Sequence, residues 1–281
     1  MRFANYDGRA VITDGQRGVY AAEASGGRFP DEPERIYPVW DEFAGWAETV
    51  NLAGGFVIDR RRLGPPSPQP RQVFGIALNY VDHALEGGMD IPADPAVFTK
   101  FVSSFAGAET ILELPAATVD WEAELVAVIG RRAYRVPQAA GWSHIAGLTV
   151  GQDISERVRQ LAGRVPQFSL GKSFPGFSPT GPWLVTVDEL TDPDDLEIGC
   201  SVNGQTMQDG RTKNLIFSVP TLVAKLSEIL PLLPGDVIFT GTPAGVGGAR
   251  QPPIFLRDGD VLTTRVAGIG EIASTCRDRS S

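Results

Sequence analysis

The chain of 281 residues has few of the residue types that build disulfide frameworks, zinc sites or basic surfaces. Its two cysteines, Cys200 and Cys276, are far apart and show no C-x-x-C spacing, so we expect both to be reduced and inert. The formal net charge of −9 argues against nucleic acid as a partner, because phosphate binding needs a basic surface. The same charge offers no long-range attraction to an anionic substrate, so an anion must be bound by local positive groups.

Long apolar runs are also missing. No stretch approaches the roughly 20 apolar residues that span a bilayer, and the N-terminal residues lack the apolar core of a signal peptide. We therefore expect a cytoplasmic protein with no membrane partner. A chain of 281 residues can bury a sizeable core, either in one large domain or in a large and a small one.

The most informative stretch is a short apolar run, residues 125–130, that directly follows two glutamates, Glu122 and Glu124. A run of aliphatic residues closed by glycine predicts a buried strand, in which residues two apart point to the same face. Glu122 and Glu124 therefore share a face, on which Asp120 is a further candidate. Neighbouring carboxylates on a buried face repel one another and lose hydration, so the pattern predicts a compensating cation.

A third oxygen ligand is predicted at Asp153, which ends a second apolar stretch. Three carboxylates without a nearby Cys or His describe an oxygen-donor site that suits Mg²⁺ or Mn²⁺, with positions left open for water or substrate. The alternative is an edge strand with a solvated acidic face. Val126 and Val128 continue the same face as apolar residues, which argues against that alternative.

The first part of the chain predicts a small α+β unit, with a strand at residues 9–13 and a helix from about residue 39 to residue 51. The segment 63–70 contains four prolines and cannot form a helix or a central strand. It predicts a boundary between a small N-terminal domain, residues 1–70, and a catalytic domain, residues 71–281.

Beyond the boundary, short apolar runs separated by turn residues predict a mostly β protein of the α+β class, with one amphipathic helix over residues 219–229. A strand then leads into a loop that contains Thr240, Gly241, Thr242 and Gly245. Its backbone N–H groups and hydroxyls predict a loop that binds a carboxylate. An ordinary tight turn is the alternative.

The chain has two histidines, of which His83 is the better candidate for a general base. His83 and Glu86 are three residues apart, so on one helical turn the carboxylate can orient the imidazole. Gly87 and Gly88 follow and predict a turn that can move. A surface ion pair is the alternative, and His144 is predicted to lie in a turn or to pack.

Lysine is rare, with four in the chain, and Lys172 lies between glycine and serine beside aromatic residues. This setting differs from that of a solubilising surface lysine. It indicates a functional residue without deciding which function.

Together these motifs resemble the fumarylacetoacetate hydrolase family. The matching motifs, in chain order over residues 71–276, are Asn79-Tyr80 with His83 and Glu86, Glu122-x-Glu124, Asp153-x-Ser155-x-Arg157-x-x-Gln160, Gly171-Lys172-Ser173-Phe174, Asn203-Gly204 and Thr240-Gly241-Thr242-Pro243. The resemblance implies a catalytic domain with a distorted β-roll, a small N-terminal α+β domain and a homodimer. It also implies a divalent metal, commonly Mg²⁺, bound by Glu122, Glu124 and Asp153.

The family acts on 2-keto acids that carry a second carbonyl, and the resemblance extends to roles for residues of this chain. It implies that His83, oriented by Glu86 on a mobile lid, takes a proton from the water that attacks the distal carbonyl. Cleavage of the carbon–carbon bond then leaves pyruvate enolate, for which the metal is the Lewis acid. The residues implied to stabilise the oxyanion are Lys172, Arg157 and Gln160, and Thr242 is implied to help bind the acid.

Three residues near the expected pocket, Glu156, Val158 and Pro175, depart from the family pattern and leave the substrate class open. The same site can serve oxaloacetate decarboxylation or isomerisation of 2-hydroxyhepta-2,4-diene-1,7-dioate, and the fold does not choose among these reactions. The His83 and Glu86 pair favours an enzyme that hydrolyses a 2,4-diketo acid of the acylpyruvate or fumarylpyruvate type. A catalytically silent metal-binding scaffold is the remaining alternative.

Overall fold

The structure is a computed structural model that describes residues 1–86, 88 and 90–279. Within these residues the chain forms nineteen strands and six α-helices. The strands are β1 Arg2–Tyr6, β2 Arg9–Thr13, β3 Arg17–Tyr20, β4 Phe56–Val57, β5 Leu63–Gly64, β6 Val73–Ala77, β7 Ala96–Thr99, β8 Phe105–Ala106, β9 Glu109–Leu114, β10 Val119–Asp120, β11 Ala123–Ile129, β12 Ile145–Gln152, β13 Ser155–Glu156, β14 Ser178–Val185, β15 Glu197–Val202, β16 Gln205–Arg211, β17 Val237–Phe239, β18 Val261–Val266 and β19 Gly270–Asp278. The helices are α1 Ala21–Ala24, α2 Trp40–Ala47, α3 Val81–Glu86, α4 Arg157–Gln160, α5 Phe168–Gly171 and α6 Val219–Ile229.

Twelve strands form one mixed sheet in the order β4-β3-β2-β1-β14-β12-β11-β17-β6-β7, with β5 paired to β1 and β8 paired to β14. A second sheet has the order β16-β15-β18-β19-β9, and β10 pairs with β13. The predicted mostly β, α+β class is confirmed. No helix in the described ranges is both long enough and apolar enough to cross a membrane.

Strand β11 lies inside the large sheet, with β12 and β17 as antiparallel neighbours. All seven of its residues are buried, and alternate residues enter different cores. Leu125 and Ala127 belong to the larger cluster, whereas Val126 and Val128 pack in a smaller, aromatic one. The two-residue period of a strand therefore fills both sides of the sheet.

The N-terminal segment supplies much of that aromatic cluster. Phe3 makes edge-to-face contacts with Tyr37, Trp40 and Phe43, at centroid distances of 5.9, 5.7 and 5.5 Å. These rings pack against the face of the sheet that carries Val126. β1 also pairs with β14, so strands from both sides of residue 70 share one sheet. The division into two domains at residue 70 stays a prediction.

The helix predicted from about residue 39 to residue 51 is shorter, since α2 ends at Ala47. Thr49 and Val50 are β-branched and fit a helix poorly, and the Thr49 hydroxyl donates to the carbonyl of Trp46 instead. The helix predicted over residues 219–229 matches α6.

Both cysteines are buried and unpaired. Burial raises the pKa of each thiol to about 12, which keeps both protonated near neutral pH.

Candidate metal centre and active site

Three carboxylates meet at one end of the β11–β12 pair. Glu122 precedes β11, Glu124 lies near its start and Asp153 directly follows β12, whose Gln152 pairs with Ala123. One oxygen of each carboxylate lies within 4.8 Å of the others, and all three residues are buried. The structure therefore brings together the three residues predicted to bind a metal. Because β11 is an interior strand, the alternative of a solvated acidic edge does not hold.

Negative charge is poorly compensated at Glu124. Burial, together with the nearby Asp153 and Glu122, raises the pKa of Glu124 well above its ordinary value. Its carboxylate accepts a hydrogen bond from the backbone N–H of Gly241 at 2.7 Å. Burial also opposes ionisation of Glu122, but Lys172 and then Arg157 outweigh it and lower its pKa to about 2. A buried set of three hard oxygen donors, one of which forms no ion pair within the described residues, fits a divalent cation such as Mg²⁺ or Mn²⁺.

Lys172 follows α5 and places its ammonium group directly beside the carboxylates. Its Nζ donates to Glu122 Oε2 at 2.8 Å, to Asp153 Oδ2 at 2.6 Å and to Ser155 Oγ at 2.9 Å. These contacts use all three protons of the ammonium group. Burial lowers its pKa, but the charges of Asp153 and Glu122 raise it by more, so Lys172 stays charged.

A second buried lysine, Lys100, was not predicted. Its Nζ donates to the other oxygen of Asp153 and to the backbone carbonyls of Lys172 and Phe177. Asp153 therefore lies between two ammonium groups, and Lys100 ties this ligand to the backbone that carries Lys172. The rarity of lysine, which drew attention to Lys172, applied equally to Lys100.

Arg157 begins α4 and links the carboxylates to Gln160. Its Nη1 donates to Glu122 Oε1 at 2.7 Å and to Gln160 Oε1 at 2.9 Å. Its Nε lies 2.6 Å from Asp120 Oδ1, in an ion pair whose N–H is not aligned with the oxygen. Its Nη2 is buried and has no hydrogen-bond partner among residues 1–86, 88 and 90–279. Arg157 therefore brings a buried donor without a partner in the described residues to the side of the cluster that faces Gln160.

The departure from the family pattern at Glu156 has a structural role. Its carboxylate accepts from the backbone N–H groups of Val158 and Arg159, at 3.2 and 2.7 Å, and so caps the N-terminus of α4. The side chain of Val158 points to solvent. The cap fixes the turn from which Arg157 reaches the carboxylates.

His83 and Glu86 lie on α3 as predicted, with 3.3 Å between His83 Nδ1 and Glu86 Oε2. Both carboxylate oxygens of Glu86 also lie 3.1 Å from the backbone N–H of Gly245. Glu86 therefore joins α3 to the loop after β17. Gly87 and Gly88 were predicted to let this turn move. Gly87 lies outside the described residues, so the movement stays a prediction.

The N–H groups of the loop after β17 donate to two carboxylates of the protein itself, and the binding of a substrate carboxylate by this loop stays a prediction. The N–H of Gly241 donates to Glu124, and the N–H of Gly245 donates to Glu86. Gly241 has φ +102°, and a Cβ there would lie 2.7 Å from the Cβ of Asn79, so only glycine fits. The hydroxyl of Thr242 donates to the carbonyl of Ala123 at 2.9 Å, and its role in binding an acid stays a prediction.

A cavity of about 560 Å³ connects these groups. Its polar end is lined by Glu122, Arg157, Gln160, Lys172, His83 and Thr242. The predicted general base and the predicted oxyanion donors thus share one cavity with a predicted metal ligand. A larger cavity of about 700 Å³ lies elsewhere, beside Trp142 and Lys213, and none of the predicted site residues lines it.

The sequence profile described as fumarylacetoacetate (FAA) hydrolase C-terminal matches residues 72–277. The chain belongs to the fumarylacetoacetate hydrolase family. The match begins one residue after the predicted start of the catalytic segment at residue 71. It confirms the family predicted from the motifs.

The human mitochondrial oxaloacetate tautomerase FAHD2A is 41% identical over 209 residues, which cover 74% of this chain and 67% of that relative. A crystal structure of a "putative HpcE protein" from Mycobacterium smegmatis superposes with a TM-score of 0.95 at 50% identity and covers 100% of both chains. Maleylpyruvate hydrolase from Sphingobium sp. SYK-6, solved with manganese(II) and pyruvate, has a TM-score of 0.82 at 28% identity, again over 100% of both chains.

These similarities confirm the fumarylacetoacetate hydrolase type of fold and the prediction that the chain is an enzyme of this family. The manganese in the Sphingobium enzyme agrees with a divalent metal in the family. The relatives include a tautomerase and a hydrolase, so the family alone does not specify the reaction.

Proposed function

We propose that the chain is a divalent-metal-dependent hydrolase that cleaves a carbon–carbon bond in a 2,4-diketo acid of the acylpyruvate or fumarylpyruvate type. The observation that carries the proposal is the position of His83, which is held by Glu86 and lines the same cavity as Glu122, Arg157 and Lys172. A base, two cationic side chains and a metal ligand around one space are the parts that such a hydrolysis needs.

In this proposal Glu122, Glu124 and Asp153 hold the metal, and Mg²⁺ is the preferred ion with Mn²⁺ as the second choice. Their oxygens converge within 4.8 Å and are buried, which suits a small divalent cation. When bound, the ion supplies Lewis-acid stabilisation of the negative charge that develops on the 2-oxo group of the substrate.

The His83 and Glu86 pair assigns the nitrogen that handles the proton. Nδ1 faces the carboxylate of Glu86, so Nε2 is the nitrogen that takes a proton from water. The hydroxide adds to C4 of the diketo acid, and the unpaired Nη2 of Arg157 donates to the oxyanion formed there.

The adduct then breaks its C3–C4 bond. The bond electrons pass to C3, which leaves the enolate of pyruvate, and C4 leaves as a carboxylic acid. His83 returns its proton to C3 to give pyruvate, so one water is consumed and the base is regenerated.

A second candidate is supported by the 41% identity to an oxaloacetate tautomerase. Tautomerisation, isomerisation and decarboxylation of a 2-keto acid also proceed through an enolate, but they need no attacking water. In that case His83 would move a proton to or from C3. A scaffold without activity would bind the metal and turn over none of these acids.

The test measures the loss of ultraviolet absorbance of the 2,4-dioxopentanoate enol. In parallel it measures the loss of the oxaloacetate enol and the consumption of oxaloacetate. Each assay is run with Mg²⁺ and with chelator. We expect metal-dependent cleavage of 2,4-dioxopentanoate that falls by about 10²–10⁴-fold in His83→Ala. His144→Ala is the matched control, because His144 lies outside the cavity and contacts the carbonyl of Arg131 at 3.3 Å. Turnover of oxaloacetate without cleavage of 2,4-dioxopentanoate would replace the hydrolase by the second candidate.

The predicted homodimer and cytoplasmic location are part of the same proposal. Light scattering coupled to size-exclusion chromatography tests the first, with twice the chain mass of 30.1 kDa expected. Fractionation of the source cells tests the second.

A further inference from the structure

The cavity lining consists of a polar and an apolar set of residues. Its remaining lining is apolar and is formed mainly by Ile76, Ala96, Phe98, Leu161, Phe168 and Phe255. This wall contains no carboxylate, amide or cationic side chain, and the described lining residues with full charges are Glu122, Arg157 and Lys172 at the polar end. A substrate held by its 2-keto acid end therefore places its far end against hydrocarbon.

Phe98 lies where the apolar lining of the cavity meets the charged residues. Its partner in the β6–β7 register is Gly75, where a Cβ would lie 2.3 Å from the ring, so the ring packs on bare backbone. The Phe98 ring lies 5.8 Å from that of Phe168, centroid to centroid. Its other neighbour is Lys172, whose Nζ lies 5.2 Å from the Phe98 centroid. The apolar wall thus begins directly beside the charged cluster.

The two cations at the polar end have little capacity for a second anion. Lys172 uses its three protons on Glu122, Asp153 and Ser155. Arg157 forms ion pairs with Asp120 through Nε and with Glu122 through Nη1, so among the described residues Nη2 is the nitrogen that takes part in neither pair. One nitrogen can serve the oxygen at the reacting carbonyl, but it cannot also hold a distal carboxylate.

The net charge of the cluster also argues against the binding of a second carboxylate. Four carboxylates, Asp120, Glu122, Glu124 and Asp153, contact or adjoin three cations, Lys100, Lys172 and Arg157. With all seven ionised the cluster carries one negative charge, and a divalent ion leaves one positive charge. One substrate carboxylate neutralises that charge, whereas a second carboxylate would be buried without a counter-ion.

Building on the proposed function, we propose that the site selects 2-keto acids with one carboxylate and an uncharged, apolar chain, and discriminates against keto diacids. Among diketo acids this points to acylpyruvates with an alkyl or aryl substituent rather than to fumarylpyruvate. Leu161, which lies at the cavity edge and is 59% exposed, is the position where a new cation would change this preference with little risk to folding.

The test measures ligand binding rather than turnover. Calorimetry compares 2-oxohexanoate with 2-oxoadipate, which has the same chain length but a terminal carboxylate, on the Mg²⁺-loaded full chain and on the chelated protein. We expect 2-oxohexanoate to bind at least about tenfold more tightly, because the diacid buries an unpaired charge. Leu161→Arg is expected to reduce or reverse the preference, and Leu161→Gln, the uncharged control, to keep it.

Equal or tighter binding of 2-oxoadipate to the wild type would overturn the inference, and so would a preference that Leu161→Arg leaves unchanged. The preference without cleavage of any acylpyruvate would keep the inference and refute the hydrolase. Cleavage of acylpyruvates together with a preference for the diacid would keep the hydrolase and refute the inference. Failure of both acids to bind in the presence of Mg²⁺ would overturn the inference, and the acylpyruvate cleavage assay would still decide the hydrolase separately.

Discussion

At the scale of single residues, the ion pair between Lys100 and Asp153 is enclosed by protein, with side chains that are 0% and 1% exposed. Lys100→Met leaves that carboxylate without one partner and two backbone carbonyls without a donor. We expect it to lower the free energy of unfolding of the metal-free protein by about 3–5 kcal/mol, as measured by urea denaturation.

The control for this prediction is Lys225→Met. Lys225 pairs with the exposed Asp94 at 2.6 Å, and surface pairs contribute about 0–1 kcal/mol. Equal losses in the two variants would contradict the structural role assigned to Lys100.

The raised pKa of Glu124 leads to a prediction about metal affinity and pH. Burial and the adjacent Asp153 and Glu122 keep a proton on Glu124 at pH values where an ordinary glutamate is ionised. A cation must displace that proton, so competition weakens as pH rises and Mn²⁺ affinity increases through the pKa of Glu124. Titration calorimetry on chelator-treated protein measures this trend, and Glu124→Gln should bind Mn²⁺ weakly and with less dependence on pH. Unchanged affinity in that variant would argue against Glu124 as a ligand.

Residues whose grouping follows from a local period could be predicted from the sequence. Glu122 and Glu124 share a face because a strand repeats every two residues, and Asp153 ends the neighbouring apolar run. Lys100 could not be placed in this way, because only the folded chain brings it to Asp153, 53 residues away. The resemblance implies that Thr242 helps to bind the acid, and only the structure shows that its hydroxyl donates to the carbonyl of Ala123.

At the scale of secondary structure elements, α3 carries the proposed general base, His83, and is attached through Glu86 to the loop at Gly245. In Glu86→Gln the side-chain oxygen can still accept from Gly245, but the negative charge that orients His83 is lost. We expect kcat to fall by up to about 10²–10⁴-fold with KM little changed, because Glu86 is not among the lining residues of the proposed substrate cavity.

Steady-state kinetics on 2,4-dioxopentanoate measures kcat and KM separately, with Asp82→Asn as the control on the same helix. The Asp82 carboxylate accepts from the backbone N–H of His83 at 2.9 Å and so makes a local contact within α3. A rise in KM without a fall in kcat would place Glu86 in substrate binding instead.

Helices were predictable where the helix propensity of the residues agrees with the spacing of the apolar side chains that pack. The helix α6 has Pro220 in its first turn and apolar residues at helical spacing, so its bounds follow from the sequence. In α2 the apolar spacing continues through Val50, but β-branched residues end the helix at Ala47. The glycine loop was predicted to bind a carboxylate of a ligand, which stays a prediction, whereas its contacts with Glu124 and Glu86 depend on how β11 and α3 fold against it.

At the scale of the whole molecule, the N-terminal segment completes the large sheet and one of its cores. Removal of residues 1–70 would leave β14 without β1 and expose the face that carries Val126, Val128 and Phe239. We expect residues 71–281 alone to be insoluble or to lack a cooperative thermal transition in calorimetry. A soluble fragment that melts cooperatively would instead support an independent catalytic domain.

The order of the motifs along the chain was sufficient to predict the family and the class of fold. The sheet that joins residues 1–70 to the catalytic segment could not be predicted, because the proline-rich stretch between them is a local signal for a break. Pairing between Phe3 and Leu184 is a contact between distant parts of the sequence. No local pattern encodes it.

The most direct test of the account is a titration of chelator-treated enzyme with Mn²⁺ while the cleavage of 2,4-dioxopentanoate is followed. If Glu122, Glu124 and Asp153 form the metal site that turnover requires, activity starts near zero and reaches a plateau at about one ion per chain. In Glu124→Gln the same titration should give little activity. Full turnover by the chelated enzyme, or a plateau that is identical in Glu124→Gln, would contradict the account.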